Sequence, residues 1–148
     1  MPQSLSRVLL HFVFSTKNRR PIINKEIQGQ LHAYLTGILK NLNCPSLQTG
    51  GTEDHVHILC SLSRTIAISD VLEEIKKSSS KWMKTREIQE FSWQNGYGAF
   101  SIGESQVDKL IHYIQSQQEH HKEISFQDEF RKFLKLYNIE YDERYVWD

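Results

Sequence analysis

The stretch from Asp54 to Leu62 constrains the fold of this chain more than any other segment. Apolar side chains occur at every second position, namely Val56, Ile58, Cys60 and Leu62. This period of two predicts a β-strand, because successive side chains of a strand point to opposite faces of the sheet. His55 and His57 then leave the other face, about 7 Å apart along the strand. Two imidazoles in this arrangement can bind one metal ion if a third ligand comes from elsewhere.

Length and composition predict an ordinary folded protein. The chain has 148 residues, of which 39% are hydrophobic and 24% charged, and this favours one globular domain over a disordered segment. No apolar stretch approaches the roughly 20 residues of a membrane helix, and no signal peptide opens the chain. Cys44 and Cys60 form neither a CxxC pair nor a disulfide framework. We therefore expect a cytoplasmic protein with reduced thiols and no membrane partner.

The charge distribution is more informative than the net charge. The net charge is zero, which argues against binding nucleic acid through bulk charge alone. Residues 1–100 carry a net charge of +4, however, and residues 101–148 carry −4. A basic body with an acidic tail is compatible with a nucleic-acid surface on the first part of the chain.

The first hundred residues predict the order βαββαβ. The chain begins with a predicted strand at 8–15 and a helix from Asn24 or Lys25 to Leu42, which ends at Asn43 to Pro45. A strand at 46–49, a turn at 50–53 and the histidine strand follow. A helix that Ser69 or Asp70 caps and a glycine-interrupted strand ending at Ile102 complete the order. This order is that of a ferredoxin-like α+β sandwich. We expect its two helices to cover one face of the sheet and to leave the other face available.

Two additional helices follow, over 106–119 and 126–137. Tyr113 and Gln117 lie four residues apart in the first of them and are expected on one face, at the flank of its apolar stripe. We predict a single domain over 1–148, with a core at about 5–104, a tyrosine helix at about 105–120 and a C-terminal tail at 121–148. The last stretch of this tail, residues 137–148, is acidic with several aromatic residues, and we expect it to pack between subunits.

Tyr113-Ile-Gln-Ser-Gln117 together with His55-Val-His57 resembles the motif pair of the HUH single-tyrosine transposases. These enzymes are encoded by the smallest bacterial insertion sequences, which move as single-stranded DNA. Further blocks of the chain look like family blocks in family order; they are 12–21, 54–58, 77–82 and 93–101. The resemblance covers roughly Leu5 to Leu136. The HxH motif alone has low specificity, whereas HxH followed by YxxxQ in this order and context is specific.

The resemblance implies a ferredoxin-like core that works as a homodimer on single-stranded DNA with hairpin ends. Tyr113 would attack a phosphodiester and leave a 5′-phosphotyrosine and a free 3′-hydroxyl. His55, His57 and Gln117 would bind a divalent ion, Mg²⁺ or Mn²⁺. In relatives of this kind the tyrosine helix can complete the active site of the partner subunit.

The chemistry of these residue types supports the same hypothesis. A tyrosine with a pKa near 10 is a poor nucleophile at pH 7 and needs a cation or a base nearby. Two imidazoles and an amide would leave the full charge of the ion to the phosphate oxygens. Because this ligand set contains no carboxylate, we expect weak metal binding in the absence of DNA. A phosphotyrosine conserves the bond energy, so rejoining needs no ATP, as suits a recombinase.

Several of these residues have simpler interpretations. Taken alone, His55 and His57 would more often be packing or surface residues, and imidazoles also suit zinc. Zinc is disfavoured because Cys60 points to the opposite strand face and no second Cys or His pair has ligand spacing. We expect His120 and His121 to be solvated near a helix end, and His11 to lie in the core or on the sheet. Asp54 is either a contact to a metal-bound water or a turn residue.

The predicted DNA contacts are basic residues of two segments. They are Lys17, Arg19, Arg20, Lys77 and Lys81, with Lys76 and Lys84 on the same helix face as the last two. Together they form a phosphate track, although such a helix face alone is more often merely solvated. Tyr97 and Trp93 are candidates for stacking on bases, with core packing as the commoner alternative.

Three hypotheses of different classes remain at this point. The leading one is a metal-dependent DNA transposase acting through Tyr113, which includes host-adopted relatives that no longer move. The second is a non-catalytic ferredoxin-like domain that binds nucleic acid through its sheet and basic loops. The third is a metal hydrolase of small phosphoesters, which would need His55 but not Tyr113.

Overall fold

The computed structural model describes residues 2–148 and consists of four strands and five α-helices. The elements in chain order are β1 (Leu9–Ser15), α1 (Lys25–Asn41), β2 (Ser46–Gly51), β3 (His55–Ser61), α2 (Ile68–Thr85), β4 (Gly98–Ile102), α3 (Val107–Gln115), α4 (Gln117–His120) and α5 (Phe126–Leu136). Short 3₁₀ turns occupy Lys17–Arg19 and Glu104–Gln106. Within residues 2–148, no helix is both long enough and apolar enough to cross a bilayer.

The four strands form one antiparallel sheet in the order β2-β3-β1-β4. This order together with the βαββαβ connectivity confirms the predicted ferredoxin-like α+β class. β1 lies in the middle of the sheet, and its register places Val13 opposite His57 and Ser15 opposite His55. The two histidines are therefore anchored on an interior strand, where pairing on both edges holds their backbone in place.

The first face of the sheet carries the main hydrophobic core. Val56, Ile58 and Cys60 point into it from β3, as the alternation predicted, and they meet the apolar faces of α1 and α2. α1 ends where Asn43 adopts a left-handed conformation with φ 58°, and the amide of Cys44 reaches back to the carbonyl of Leu39. This is a helix stop of the type that the sequence predicted at 43–45.

The second face of the sheet is covered, so the expectation that it stays available is wrong. Ile114 of α3 packs on Leu9 and Leu59, and Phe130 of α5 belongs to a cluster with Val13 and Phe100. Both helices are amphipathic, and the second face of the sheet carries the apolar side chains just named. Burial of the two apolar surfaces against each other favours their contact.

Two glycines permit this close packing. A Cβ atom at Gly50 would lie 2.8 Å from a methyl of Ile114, and one at Gly98 would lie 2.6 Å from the ring of Phe130. Gly98 of the glycine-interrupted strand β4 thus leaves room for the ring of Phe130.

Two predicted helix boundaries are wrong. The expected helix over 106–119 is broken at Ser116, whose φ of −96° and ψ of 13° separate α3 from α4. The break places Gln117 at the first position of α4, so Tyr113 and Gln117 do not share one continuous helix. α2 begins at Ile68 after Ala67, and neither Ser69 nor Asp70 is its N-cap. α5, by contrast, confirms the helix predicted over 126–137.

Candidate metal and tyrosine site

His55 and His57 lie on the second face of the sheet, beneath the added helices. Both side chains are completely buried, and their ring centroids are 5.1 Å apart. Phe126 of α5 lies against His55, and Phe133 of the same helix lies near His57. The two imidazoles therefore share one water-excluded chamber. The strand alternation predicted their common face but not its burial.

His55 is hydrogen-bonded through both ring nitrogens. Its Nδ1 lies 2.6 Å from Oδ1 of Asp54 and 3.1 Å from the hydroxyl of Thr52. Its Nε2 lies 2.9 Å from Oε1 of Gln117. Burial would raise the pKa of Asp54, but the hydrogen bonds from His55 and Thr52 outweigh burial and lower it. The ionised Asp54 thus contacts the imidazole of His55, a partner that neither of its two predicted roles had named.

His57 is bonded to a second histidine and to a carboxylate. Its Nδ1 lies 2.8 Å from Nε2 of His11, and its Nε2 lies 2.9 Å from Oε1 of Glu129. Burial lowers the pKa of His57 and of His11. His11, expected in the core or on the sheet, is buried on the sheet beside His57.

Glu129 is the central residue that the sequence interpretation missed. It belongs to α5, is only 2% exposed, and accepts hydrogen bonds on both carboxylate oxygens. Burial alone would raise its pKa, but the nearby rings of His57 and His121 lower it well below the ordinary value. The signal that could have revealed it is its position among Phe126, Phe130 and Leu134, on the apolar side of an amphipathic helix.

His121 also joins the cluster, so the expectation that it is solvated is wrong. Its side chain is 11% exposed, its Nε2 lies 3.1 Å from Oε1 of Glu129, and its ring is centred 4.4 Å from that of His55. His120 remains about one-third exposed, and its Nε2 lies 3.1 Å from the hydroxyl of Tyr113.

The structure brings Tyr113 and Gln117 to the two histidines within one chain. The Tyr113 hydroxyl donates to Oε2 of Glu129, and its ring is centred 5.8 Å from that of His57. The Gln117 amide donates to the same Oε2 at 3.2 Å. Burial and the adjacent Glu129 carboxylate raise the pKa of Tyr113, so the phenol is held protonated. In this conformation Tyr113 is a hydrogen-bond donor and not an activated nucleophile.

The donor atoms of this cluster fit a cation. Asp54 holds the Nδ1 proton of His55, so Nε2 carries a lone pair and faces Oε1 of Gln117. Oε1 of Glu129 lies 3.5 Å from the same nitrogen. Three acceptors facing one another in a buried chamber repel unless a proton or a cation lies among them. His55, His57 and Gln117 are therefore chemically suited to the divalent ion that the sequence predicted.

The candidate DNA contacts lie outside this chamber. Lys17, Arg20, Lys77 and Lys81 are exposed. Arg19 is half-buried, with its guanidinium 5.9 Å from the centre of the Trp147 ring. Trp147 packs on Phe126 and Phe130 of the same chain, so at least this part of the C-terminal tail has an intramolecular role.

Two residues near the predicted phosphate track serve the fold instead. The ammonium of Lys76 bonds the carbonyls of Gln94, Asn95 and Gly96 at 3.0, 3.3 and 2.6 Å, and burial lowers its pKa to about 8. Trp93 is 7% exposed and donates to the hydroxyl of Ser79, so core packing is the correct interpretation for it. Tyr97 is 38% exposed, and the ammonium of Lys76 lies 5.5 Å from the centre of its ring.

Known proteins resemble this chain in sequence and in fold. The sequence profile of the family described as IS200-like transposases matches residues 4–117. A candidate transposase from Deinococcus radiodurans R1 has a similar structure, with a TM-score of 0.63, 19% identity, and coverage of 79% of this chain and 98% of that chain. A REP-associated tyrosine transposase bound to a REP hairpin has a TM-score of 0.62, 16% identity, and coverage of 84% and 74% respectively. No curated protein matches the chain significantly.

Proposed function

Because the chain belongs to the family of IS200-like transposases, we propose that it is a DNA transposase that cleaves and rejoins single strands through Tyr113 with the assistance of a metal. The observation that carries this proposal is the single cluster of Tyr113, His55, His57 and Gln117. These residues are separated by up to 62 positions in sequence, yet a buried network of hydrogen bonds joins them.

The proposed reaction exchanges one phosphodiester for another. The phenolic oxygen of Tyr113 forms a bond to phosphorus and loses its proton, while the bond from phosphorus to the 3′ oxygen breaks and that oxygen takes up a proton. The products are a 5′-phosphotyrosine and a free 3′-hydroxyl. Attack of a second 3′-hydroxyl on the phosphotyrosine rejoins the strands and restores the phenol, so no ATP is consumed.

The residues of the chain prepare this reaction. A divalent ion, Mg²⁺ or Mn²⁺, held by His55, His57 and Gln117 would neutralise charge on the phosphate oxygens. Asp54 holds the ring of His55 in orientation, and the packing of Phe126 excludes water from it. The bond from Tyr113 to Glu129 keeps the phenol protonated until DNA enters, and Tyr113 must release Glu129 to reach phosphorus.

The DNA would contact the basic residues outside the chamber. Lys17, Arg20, Lys77 and Lys81 are exposed and available to phosphates, and Arg19 lies beside them in the first loop. One similar structure is bound to a hairpin, and for this chain we propose single-stranded DNA with hairpin ends as the substrate. The resemblance also implies a homodimer. The cluster assembles within one chain, so the proposed dimer is not required to complete it.

A covalent adduct is the decisive measurement. We would incubate the protein with Mn²⁺ and single strands carrying the palindromic segments that flank its gene, then separate the products under denaturing conditions. The expected result is a protein–DNA adduct that mass spectrometry locates at Tyr113. Tyr113→Phe should abolish the adduct and retain DNA binding, whereas Tyr145→Phe, a change at an exposed tyrosine, should leave both intact.

The alternatives predict other outcomes. A non-catalytic domain would bind through the sheet, but α3 and α5 cover the face that this requires. Such a domain would form no adduct, and Tyr113→Phe would change nothing measurable. A phosphoester hydrolase would release product by water attack and depend on His55 but not on Tyr113. A host-adopted relative would form the same adduct, so this measurement alone does not separate it from the transposase of a mobile element.

A further inference from the structure

We propose that His55, His57, His121 and Glu129 form a four-ligand site for a first-row transition metal, which this protein binds before it meets DNA. The inference deepens the proposed function, because it concerns the same metal site, and it rests on that function only for the role of the ion. It adds Glu129 of α5 and His121 of the segment before it to the histidine pair of β3, and Gln117 keeps the contact that the proposed function gives it, as a fifth contact through Oε1.

Three imidazole nitrogens surround one carboxylate oxygen. Oε1 of Glu129 lies 2.9 Å from Nε2 of His57, 3.1 Å from Nε2 of His121 and 3.5 Å from Nε2 of His55. All four donor atoms lie within 4.8 Å of one another. Ligands about 2.0 to 2.2 Å from a tetrahedral ion are separated by roughly 3.3 to 3.6 Å. The three distances to Oε1 of Glu129 are close to that range, so a small movement of these side chains would form a coordination shell.

His121 supplies an independent observation. Its Nε2 is buried and makes no hydrogen bond within residues 2–148, although Oε1 of Glu129 is only 3.1 Å away. The distance between these two atoms is that of a hydrogen bond, but the orientation of the imidazole ring toward the oxygen is not. A buried nitrogen without a partner is costly, and a metal ion among these donors would satisfy it.

Hydrogen bonds to the Nδ1 atoms orient the two histidines of β3 for metal binding. Asp54 binds Nδ1 of His55 and His11 binds Nδ1 of His57, so both Nε2 atoms face the cluster. Such outer partners fix the tautomer and the ring orientation of metal-binding histidines. All of these partners belong to the protein, and the arrangement is therefore complete without DNA.

The donor types select the metal. Three imidazoles and one carboxylate suit Mn²⁺, Co²⁺ or Zn²⁺ better than Mg²⁺, which prefers oxygen ligands and retains its waters. The sequence predicted weak metal binding because it offered no carboxylate, and Glu129 provides one. Its second oxygen accepts the Tyr113 hydroxyl, so one side chain links the metal site to the proposed nucleophile.

Metal titration of the DNA-free protein tests this inference. Full-length protein treated with EDTA and dialysed would be titrated with Mn²⁺, Zn²⁺ and Mg²⁺ by calorimetry. We expect Mn²⁺ and Zn²⁺ to bind at least about tenfold more tightly than Mg²⁺. Glu129→Gln and His121→Ala should each weaken Mn²⁺ binding by at least about tenfold. Glu119→Gln and His112→Asn change exposed residues of the same types nearby and should match the wild type.

A spectroscopic measurement keeps the test decisive. Co²⁺ in the wild-type protein should show the intense visible absorption of a four- or five-coordinate ion, which needs no variant and is unaffected if Glu129→Gln fails to fold. A weak six-coordinate spectrum, equal affinity for Mg²⁺ and Mn²⁺, or unchanged affinity in folded Glu129→Gln would overturn the inference. Intact metal binding without a Tyr113 adduct would refute the proposed function alone.

Discussion

At the scale of single residues, Asp54 controls which nitrogen of His55 can bind a metal. Its ionised carboxylate can only accept a hydrogen bond, so Nδ1 of His55 keeps its proton and the lone pair stays on Nε2. In Asp54→Asn the side-chain amide can donate to Nδ1 and so favour the tautomer with its proton on Nε2. We expect Mn²⁺ affinity to fall about 10- to 100-fold, which is the usual effect of losing such an outer partner. Calorimetry on the DNA-free protein measures it.

The control for this prediction is Asp108→Asn, which removes an exposed carboxylate from the first turn of α3. It should leave Mn²⁺ affinity at the wild-type value. Wild-type affinity in Asp54→Asn as well would mean that Asp54 serves only as the turn residue before β3.

At the scale of elements, the sequence was most informative where side chains repeat regularly. The alternation of β3 predicted that His55 and His57 share a face, because a strand offers only two faces. Glu129 could not be predicted in the same way. It lies 72 residues from His57, and only the docking of α5 on the second face of the sheet brings them together. Since that face was expected to be free, nothing in the sequence assigned a partner to the carboxylate.

The break at Ser116 has a similar origin. The residues from Gln115 to Glu119 include neither glycine nor proline, so local sequence predicts that the helix continues through them. Gln117 is buried and bonds His55 and Glu129. These tertiary contacts accompany the break at Ser116, and the local sequence does not encode them. Tertiary contacts commonly override local propensity in this way.

Two adjacent lysines of α2 should have opposite roles. Lys76 donates to three carbonyls of the segment after Trp93, whereas Lys77 is exposed. Lys76→Ala leaves those carbonyls without their donor and should lower the free energy of unfolding by about 1 to 3 kcal/mol. Lys77→Ala should change it by less than about 0.5 kcal/mol. Urea unfolding, followed by tryptophan fluorescence, compares the two.

DNA affinity should depend on Lys77 more than on Lys76, the reverse of their effects on stability. If Lys77 contacts a phosphate, Lys77→Ala weakens binding to all sequences alike and reduces the salt dependence by about one unit of slope. Fluorescence anisotropy over a series of salt concentrations measures both quantities. A salt slope unchanged in Lys77→Ala would remove Lys77 from the proposed phosphate track.

At the scale of the whole molecule, the charge of the chain is balanced while its parts are not. The basic residues proposed to bind DNA all lie within residues 1–100. Glu129 belongs to residues 101–148, which carry a net charge of −4. The acidic part is not a separate appendage, since α5 packs on the sheet and Trp147 packs on α5. The packing of α5 thereby places the carboxylate of Glu129 in the buried chamber, although the proposed substrate is itself an anion.

The completeness of the cluster within one chain predicts catalysis in cis. Tyr113 and His57 of the same chain both contact Glu129, so a dimer need not exchange α3 to assemble the site. Tyr113→Phe and His57→Ala would be co-expressed with different tags and purified as a mixed population. If each chain uses its own tyrosine, no mixed species contains an intact site, and the adduct should stay at the level of the separate variants.

An adduct restored in the mixture, and located on the chain that carries His57→Ala, would show that the tyrosine works in trans. Restoration can then reach only a fraction of the wild-type yield, because a mixed dimer holds one intact site. Wild-type protein co-expressed with either variant is the matched control, since it retains intact sites under both arrangements. The contact of Tyr113 with Glu129 in this structure would then describe a resting state that the dimer opens before cleavage.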